Sequence, residues 1–337
     1  MQQVAEVLRR SVDAGRAAVV GRVIALKGFS TLPVDELVAI DDAGGFHGDL
    51  LGRTGAEKLE AAAGDLLSGA ERLETVHVSI HGPTVKELGL ACGGQADVLL
   101  QPASSIPAQV WSLLAERAPV AMVTVIDGPA AGPDAIAVDR GGQVWGALAE
   151  RAAAVAGELA DQAKALLGEG RTTSKRVETE AGVALLEAWV PSPRLVVVGS
   201  GEVVTAIEAQ AGLLGWETRA TDRSEVDELL DWAGATAALI VLSHDPHVDV
   251  PVLSAGLSRP TPYIGAMGSR GTQSRRLERL ASEGVAAEQL ERIHRPIGLN
   301  LGGRRAAEVA LAIVAEILAV HCGRDARPLR DTSGPIH

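Results

Sequence analysis

Cysteine is almost missing from this 337-residue chain: only Cys92 and Cys322 occur, far apart, with no Cys-x-x-Cys and no Cys/His spacing. That excludes a disulfide framework and a structural zinc. Aromatic side chains are scarce as well, five Trp, two Phe and one Tyr, and basic residues are in deficit, 31 Lys and Arg against 43 Asp and Glu, for a formal net charge of −12. An acidic chain with few aromatics and no basic cluster cannot neutralise phosphates, so nucleic acid and anionic membranes are excluded as partners. Long apolar runs are absent. The opening MQQVAEVLRRSVDAGR places charges among its apolar residues, and runs such as 237–242 are far too short to cross a bilayer. A cytoplasmic protein of about two domains is expected.

What is present centres on residues 194–223, RLVVVGSGEVVTAIEAQAGLLGWETRATDR. Residues 194–198 form a short run rich in β-branched residues, suited to a strand covered on both faces, and lead into Gly199-Ser200-Gly201. Val203, Ala206, Ile207, Ala211 and Leu214 then recur at helical spacing, Gly215 stands at the C-terminal cap position, and a second strand, 216–221, delivers Asp222. Strand, glycine turn, helix, strand and acid is the order of a dinucleotide-binding unit, whose glycines let backbone approach a phosphate and whose acid meets a ribose hydroxyl. The third glycine of that pattern is replaced by Val204. The turn fits NAD(P), another nucleotide or a pterin phosphate equally, and a tight strand-to-helix turn without ligand has the same sequence. A β-branched residue at Gly201 would intrude on a phosphate while leaving the sheet's core untouched.

Upstream, a helix (3–14), strands at 17–26, 37–40 and 46–50, a turn at 41–45, a helix (55–67) and strands at 75–80 and 96–101 are predicted. A worn copy follows: APVAMVTVI (118–126) echoes 17–26, AIAVDRGGQVWGAL (135–148) echoes 37–50, the helix at 150–167 echoes 55–67, and AGVALLEAWVP (181–191) stands in place of 93–102. The expected fold is α/β: an N-terminal α+β domain of two related halves (1–191), the linker Pro191-Ser192-Pro193, a Rossmann-like parallel-sheet domain (194–322) and a mobile tail (323–337). The second half has no counterpart of Cys92.

In the C-terminal domain, strands at 237–242 and 262–265 end in Ser243-His244-Asp245-Pro246-His247 and in Gly265-Ala266-Met267-Gly268-Ser269-Arg270, followed by a basic helix (273–282) and, after a Gly/Pro-rich segment, a last helix (304–320). Strand ends on one side of a parallel sheet are where ligands bind. His244 and Asp245 are candidate ligand contacts. As a metal or acid/base pair they are less suited, because His244 and His247 are spaced three apart with no helix expected under them. Ser269 can cap a helix and Arg270 can fork onto a phosphate, or the two can be a plain cap and a solvated charge. Cys92 sits between Ala91 and Gly93-Gly94 in LGLACGGQADVLLQP. A lone cysteine is commonly a small buried hydrophobe, but flanking glycines leave a thiol open to a bulky, soft partner.

That segment, GSGEVV after a buried strand, SHD at a strand end, YIGAMGSR and IHRPIGLNLGGRRAAEVALAIVAEILA together resemble the XdhC/CoxI family, in its order and over nearly the whole chain. The resemblance implies a molybdenum-cofactor chaperone rather than a catalyst. Such a protein binds molybdopterin or its dinucleotide form, protects it while its sulfido ligand is installed, and delivers it to a xanthine dehydrogenase-type molybdenum hydroxylase. It further implies Cys92 as a ligand of the metal, with Gly93, Gly94, Gly199, Ser200, Gly201, Asp222, His244, Asp245, Gly268, Ser269 and Arg270 around the cofactor. The partners implied are the apo-hydroxylase, a cysteine desulfurase and a second copy in a homodimer. Where the family commonly has Gly-x-Gly-His-x-Gly, this chain has Glu202 and Val204. The alternatives are an NAD(P)-dependent oxidoreductase, which would need a proton donor set such as Tyr-x-x-x-Lys that the single tyrosine, Tyr263, does not supply, and a diverged nucleotide-binding module without catalysis.

Overall fold

The computed structural model describes residues 1–27, 36–80 and 94–332, and the chain divides into two compact units, Met1–Val190 and Pro191–His337. The first unit opens with helix α1 (Gln2–Asp13), whose Val4, Ala5 and Leu8 are buried at helical spacing. Strands β1 (Ala18–Lys27), β2 (Leu37–Asp41) and β3 (Phe46–His47), helix α2 (Ala56–Leu67), and strands β4 (Glu74–Ile80) and β5 (Gly94–Pro102) follow. Helix α3 (Ala108–Ala115) leads to β6 (Val120–Asp127), β7 (Ala135–Asp139) and β8 (Val144–Gly146), then helix α4 (Ala156–Leu167), β9 (Thr173–Thr179) and β10 (Gly182–Trp189).

The internal repeat is visible as topology. Two five-stranded antiparallel sheets have the orders β3-β2-β1-β5-β4 and β8-β7-β6-β10-β9, one pattern used twice. In the first, Leu59, Ala63 and Leu66 of α2 pack on Val19, Val38, Val76 and Val98. In the second, Leu159, Ala163 and Leu166 of α4 pack on Val123, Ile136 and Leu186. The alternate residues of the same strands, Val20 and Met122 among them, join a third core with Leu8 of α1 and Trp111 of α3. Burial on both faces is why β1 and β6 read as largely apolar runs, interrupted by Arg22 and Thr124, rather than as alternation. A buried polar link joins the halves: Arg22 of β1 donates to Glu187 of β10 at 2.6 Å and, within its own half, to Gln101 of β5 at 2.6 Å.

The second unit runs β11 (Arg194–Val198), α5 (Glu202–Leu213), β12 (Glu217–Thr221), α6 (Val226–Ala233), β13 (Ala237–Val241), α7 (Pro246–Leu257), β14 (Tyr263–Ala266), α8 (Arg270–Ser282), the short α9 (Ala287–Leu290), β15 (Ile293–His294) and α10 (Ala306–His321). Its sheet has the order β12-β11-β13-β14-β15 with all four pairings parallel. Val196 and Val198 face a core with α6, α7 and α8, while Leu195 and Val197 face one with α5 and α10. Each such buried aliphatic side chain contributes about 1.5–3 kcal/mol, so the apolar run of β11 anchors both layers.

Two expectations are corrected, and two elements are new. The strand expected at 46–50 is only β3, because Leu50 begins a 3-10 turn, Leu50–Arg53. A helix does stand under His247: α7 begins at Pro246, with Asp245 as its cap. Helix α3 and strand β9 are elements that the sequence reading left unassigned.

Candidate functional site

The chain leaves β11 for β12 on one side and returns to β13 on the other, so the crevice at the carboxyl ends of β11 and β13 is where the strand order reverses. Hydrogen bonds carry the ladder past the strand ends, from Gly199 N–H to Thr221 O (3.0 Å), Leu242 N–H to Val198 O (2.9 Å) and Met267 N–H to Val241 O (2.8 Å). At this edge lies a cavity of about 830 Å³, lined among others by Gly199, Ser200, Asp222, Arg223, Ser224 and Ser243. Three residues of the expected cofactor set, Gly199, Ser200 and Asp222, are thus brought together.

The two glycines act differently. Gly199 has φ +147°, and a Cβ there would lie 3.0 Å from Leu242 Cβ, so it is needed for close packing as well as conformation. Gly201 has φ +96° and ψ −169°, a region essentially restricted to glycine. A Cβ on it would meet nothing within 4 Å. The space in front of the α5 N-terminus is therefore open, and the sheet's core is untouched at that position.

The starts of α5, α7 and α8 all lie at this edge. In α7 the Asp245 carboxylate accepts from His247 N–H (2.9 Å), and in α8 the Ser269 hydroxyl accepts from Thr272 N–H (3.2 Å). Helix α5 starts at Gly201 with no side-chain cap. Its first-turn N–H groups are left to solvent or to an anion, and the helix dipole points the same way. Glu202, exposed at the first position of α5, opposes an anion there by charge.

Asp222 is exposed, and its Oδ1 accepts from the Ser224 N–H (2.8 Å), the Ser224 hydroxyl (2.9 Å) and the Arg223 N–H. Those bonds, the Ser224 amide first, hold its carboxyl below the usual range. It is an ionised acceptor, fixed at the cavity rim.

His244 belongs elsewhere. It lines a separate cleft of about 80 Å³ with Asp249, Thr272, Arg275, Arg276 and Arg279. Sequence reasoning missed the pair that builds this cleft: Arg276 of α8 bonds Asp249 of α7 through Nε (3.1 Å) and Nη2, both residues being buried. Arg276 also donates to Gln273 Oε1 (2.7 Å), Met267 O (3.1 Å) and Ser243 O (3.4 Å), tying the β13 and β14 exits together. Gly268, at φ +136°, precedes the Ser269 cap, and Arg270 is exposed as the first residue of α8. In the first unit, Gly94 opens β5 and is buried. Cys92 and Gly93 lie outside the described residues.

The IHRPIGLN segment is held by Glu316 of α10, which accepts from Tyr263 Oη (2.5 Å) and Gly298 N–H (2.9 Å) and lies 3.4 Å from His294 Nδ1. Burial raises the Glu316 carboxyl, but hydrogen bonds from His294, Tyr263 and Gly298 together outweigh it and hold the group below its ordinary value. Burial first, then Glu316, pushes the Tyr263 phenol far up. Tyr263 is a structural donor to this carboxylate.

A parallel sheet with a glycine turn and an open helix start at its switch point is the architecture of a Rossmann-type domain. Residues 195–317 match the XdhC Rossmann domain. A stretch of 147 residues, 38% of the chain, is 31% identical to 27% of the uncharacterized protein YqeB of Escherichia coli. A stretch of 132 residues, 39% of the chain, is 30% identical to 41% of the molybdenum cofactor insertion chaperone PaoD of Escherichia coli. The matches thus span less than half the length of either curated relative. A crystal structure of a xanthine dehydrogenase from Bacillus halodurans aligns over 97% of both chains at 18% identity with a TM-score of 0.45. Among the described residues no helix is long and apolar enough to cross a membrane, and no cluster of His, Cys, Asp and Glu could hold a metal ion.

Proposed function

We propose that this chain is a cofactor chaperone, which binds molybdenum cofactor as cargo and hands it to a xanthine dehydrogenase-type molybdenum hydroxylase. The observation that carries the reading is the uncapped start of α5 at Gly201, which directly follows Gly199 and Ser200 in the lining of the cavity of about 830 Å³, in a segment that matches the XdhC Rossmann domain. Kinship with the insertion chaperone PaoD points the same way. The cavity falls in the range of about 300–1,000 Å³ usual for small-molecule sites.

In this reading the N–H groups after Gly201 take the phosphate or diphosphate of molybdopterin or its dinucleotide form, with Gly199 and Ser200 framing the turn. Asp222 has one carboxylate oxygen occupied by its own turn and the other available to a hydroxyl of the cargo. Gly268 and Arg270 serve as further contacts, and Asp245 and Ser269 cap the starts of α7 and α8 at the same edge of the sheet. Cys92, followed in the sequence by Gly93 and Gly94, is the thiolate offered to molybdenum, a soft metal that such a donor suits. Apo-hydroxylase and a cysteine desulfurase are the proposed partners, and the working form is a homodimer in the cytoplasm. Carriage is favoured over NAD(P)-dependent hydride transfer because Tyr263 is buried and committed to Glu316, leaving no proton donor of that type at the cavity.

The test is metal analysis and mass spectrometry of protein purified from its native host. Molybdenum with a pterin is expected, and Cys92→Ser is expected to melt like the parent, copurify with less molybdenum and fail to activate apo-hydroxylase. Steady, substrate-dependent oxidation of NADH by the parent, with no pterin bound, would overturn the reading. Undiminished molybdenum in both Cys92→Ser and Cys92→Ala would remove Cys92 from the site.

A further inference from the structure

We infer that the cleft between α7 and α8 is a second binding site, separate from the glycine turn, for a phosphate-class oxyanion. Although the chain carries a formal charge of −12, Arg275, Arg276 and Arg279 line one wall of this cleft and Asp249 is the acid that lines it with them. Arg276 is consumed in holding the walls: its donors go to Asp249, Gln273, Met267 O and Ser243 O. Arg275 and Arg279 are exposed, and among the described residues no ion pair involves either. Neighbouring cations without a counterion repel one another, and a bound anion relieves that repulsion while taking charge-assisted hydrogen bonds.

An independent observation lies in the opposite wall. Asp249 is 2% exposed, and its Oδ1 is buried with no hydrogen-bond partner among the described residues. A buried acceptor without a donor is destabilising, so this atom calls for an O–H or N–H brought from outside. Phosphate near neutrality meets both demands, since its second proton leaves at a pKa of about 6 in an ester: it offers a donor to Asp249 and acceptors to the arginines, with His244 and Thr272 alongside. Sulfate offers acceptors only. Size sets the class. At about 80 Å³, against about 30 Å³ for a water in the liquid, the cleft has room for a tetrahedral oxyanion and none for a nucleoside.

Arginine labelling of the full chain with phenylglyoxal, read by peptide mass spectrometry, reports each residue separately. Inorganic phosphate held at about ten times its Kd should slow labelling of Arg275 and Arg279 about tenfold, because about one site in eleven stays free. Exposed Arg304 should label at an unchanged rate, and sulfate at the same concentration should protect much less. In Arg275→Gln, protection of Arg279 should need about tenfold more phosphate or beyond. Adenosine monophosphate distinguishes the sources: protection by it assigns the cleft to the phosphate end of a larger ligand, and protection by inorganic phosphate alone assigns it to the free ion. Equal protection by sulfate overturns the role given to Asp249 and the selectivity with it. No slowing at either arginine, or the same slowing at Arg304, overturns the site, and neither result bears on molybdenum copurification.

Discussion

Gly201→Ala separates what the backbone needs at the α5 start from what a ligand needs. The residue sits at φ +96° and ψ −169°, where a non-glycine residue costs about 1–3 kcal/mol. Its Cβ would meet no atom within 4 Å, so the stability loss is conformational strain with no clash added. At about 2–4 °C per kcal/mol for a domain of this class, the melting temperature should fall by about 2–12 °C while the unit stays folded. Binding should suffer more, because the added methyl stands before the first-turn N–H groups and each charge-assisted hydrogen bond lost is worth about 1.5–3 kcal/mol, about tenfold or more in affinity. The assay is thermal unfolding beside calorimetric titration with ADP as the diphosphate probe. Gly215→Ala is the control: its φ is +71°, a Cβ there also meets nothing, and it lies at the far end of α5. It should lose stability and keep binding. Parental ADP affinity in Gly201→Ala, or an equal loss in Gly215→Ala, would refute the placement of a phosphate at this turn.

Charge at the same helix start gives a simpler test: Glu202→Gln removes a carboxylate from the first turn of α5, and ADP should bind about two- to fivefold more tightly, by about 0.3–1 kcal/mol, in the same titration. Arg22→Met alone leaves Glu187 buried without its cation and should cost about 3–5 kcal/mol in denaturant unfolding, whereas the double variant with Glu187→Leu should recover most of that. Gly182→Ala places a Cβ 2.0 Å from Asp127 O at φ +124°, and should cost about 3 kcal/mol or more by the same measurement, from backbone strain and overpacking together. Glu316, held below its ordinary value of 4.5 by bonds that outweigh its burial, stabilises the fold above the unfolded-state pKa. That contribution is lost as pH falls through the lower folded value. The melting temperature of the parent should therefore drop more steeply below about pH 4.5 than that of Glu316→Gln.

Legibility in the sequence follows burial and spacing. The β11 run was readable because both of its faces are covered, which leaves no polar residue to interrupt it. The repeat was readable because each half must bury the same strand positions under one helix. Strand β9 was not: TSKRVET has no buried residue, so the alternation that marks a half-buried strand never forms. Helix α7 was hidden for the opposite reason. Its Val250, Val252, Leu253 and Leu257 are all buried and Pro251 lies inside it, which together erase the 3.6-residue period and suggest a loop. With α7 unseen, the Asp249–Arg276 pair, 27 residues apart, could not be read, and neither could the cleft it builds.

The candidate site shows a deeper limit. Asp245 and Ser269 were read as ligand contacts because an acid or hydroxyl at a strand exit is what a ligand wants, but the same groups are what an unsatisfied helix start wants. In α7 and α8 those side chains accept the first-turn N–H groups themselves. Composition alone does not separate the two uses, since cap and ligand compete for identical donors. What does separate them is the start where no competitor exists. Among α5, α7 and α8, α5 begins on a glycine, and a glycine in that place satisfies nothing, so its amides must be met from outside the chain. By that argument Gly201 supports the proposed phosphate site more firmly than any of the polar residues around it.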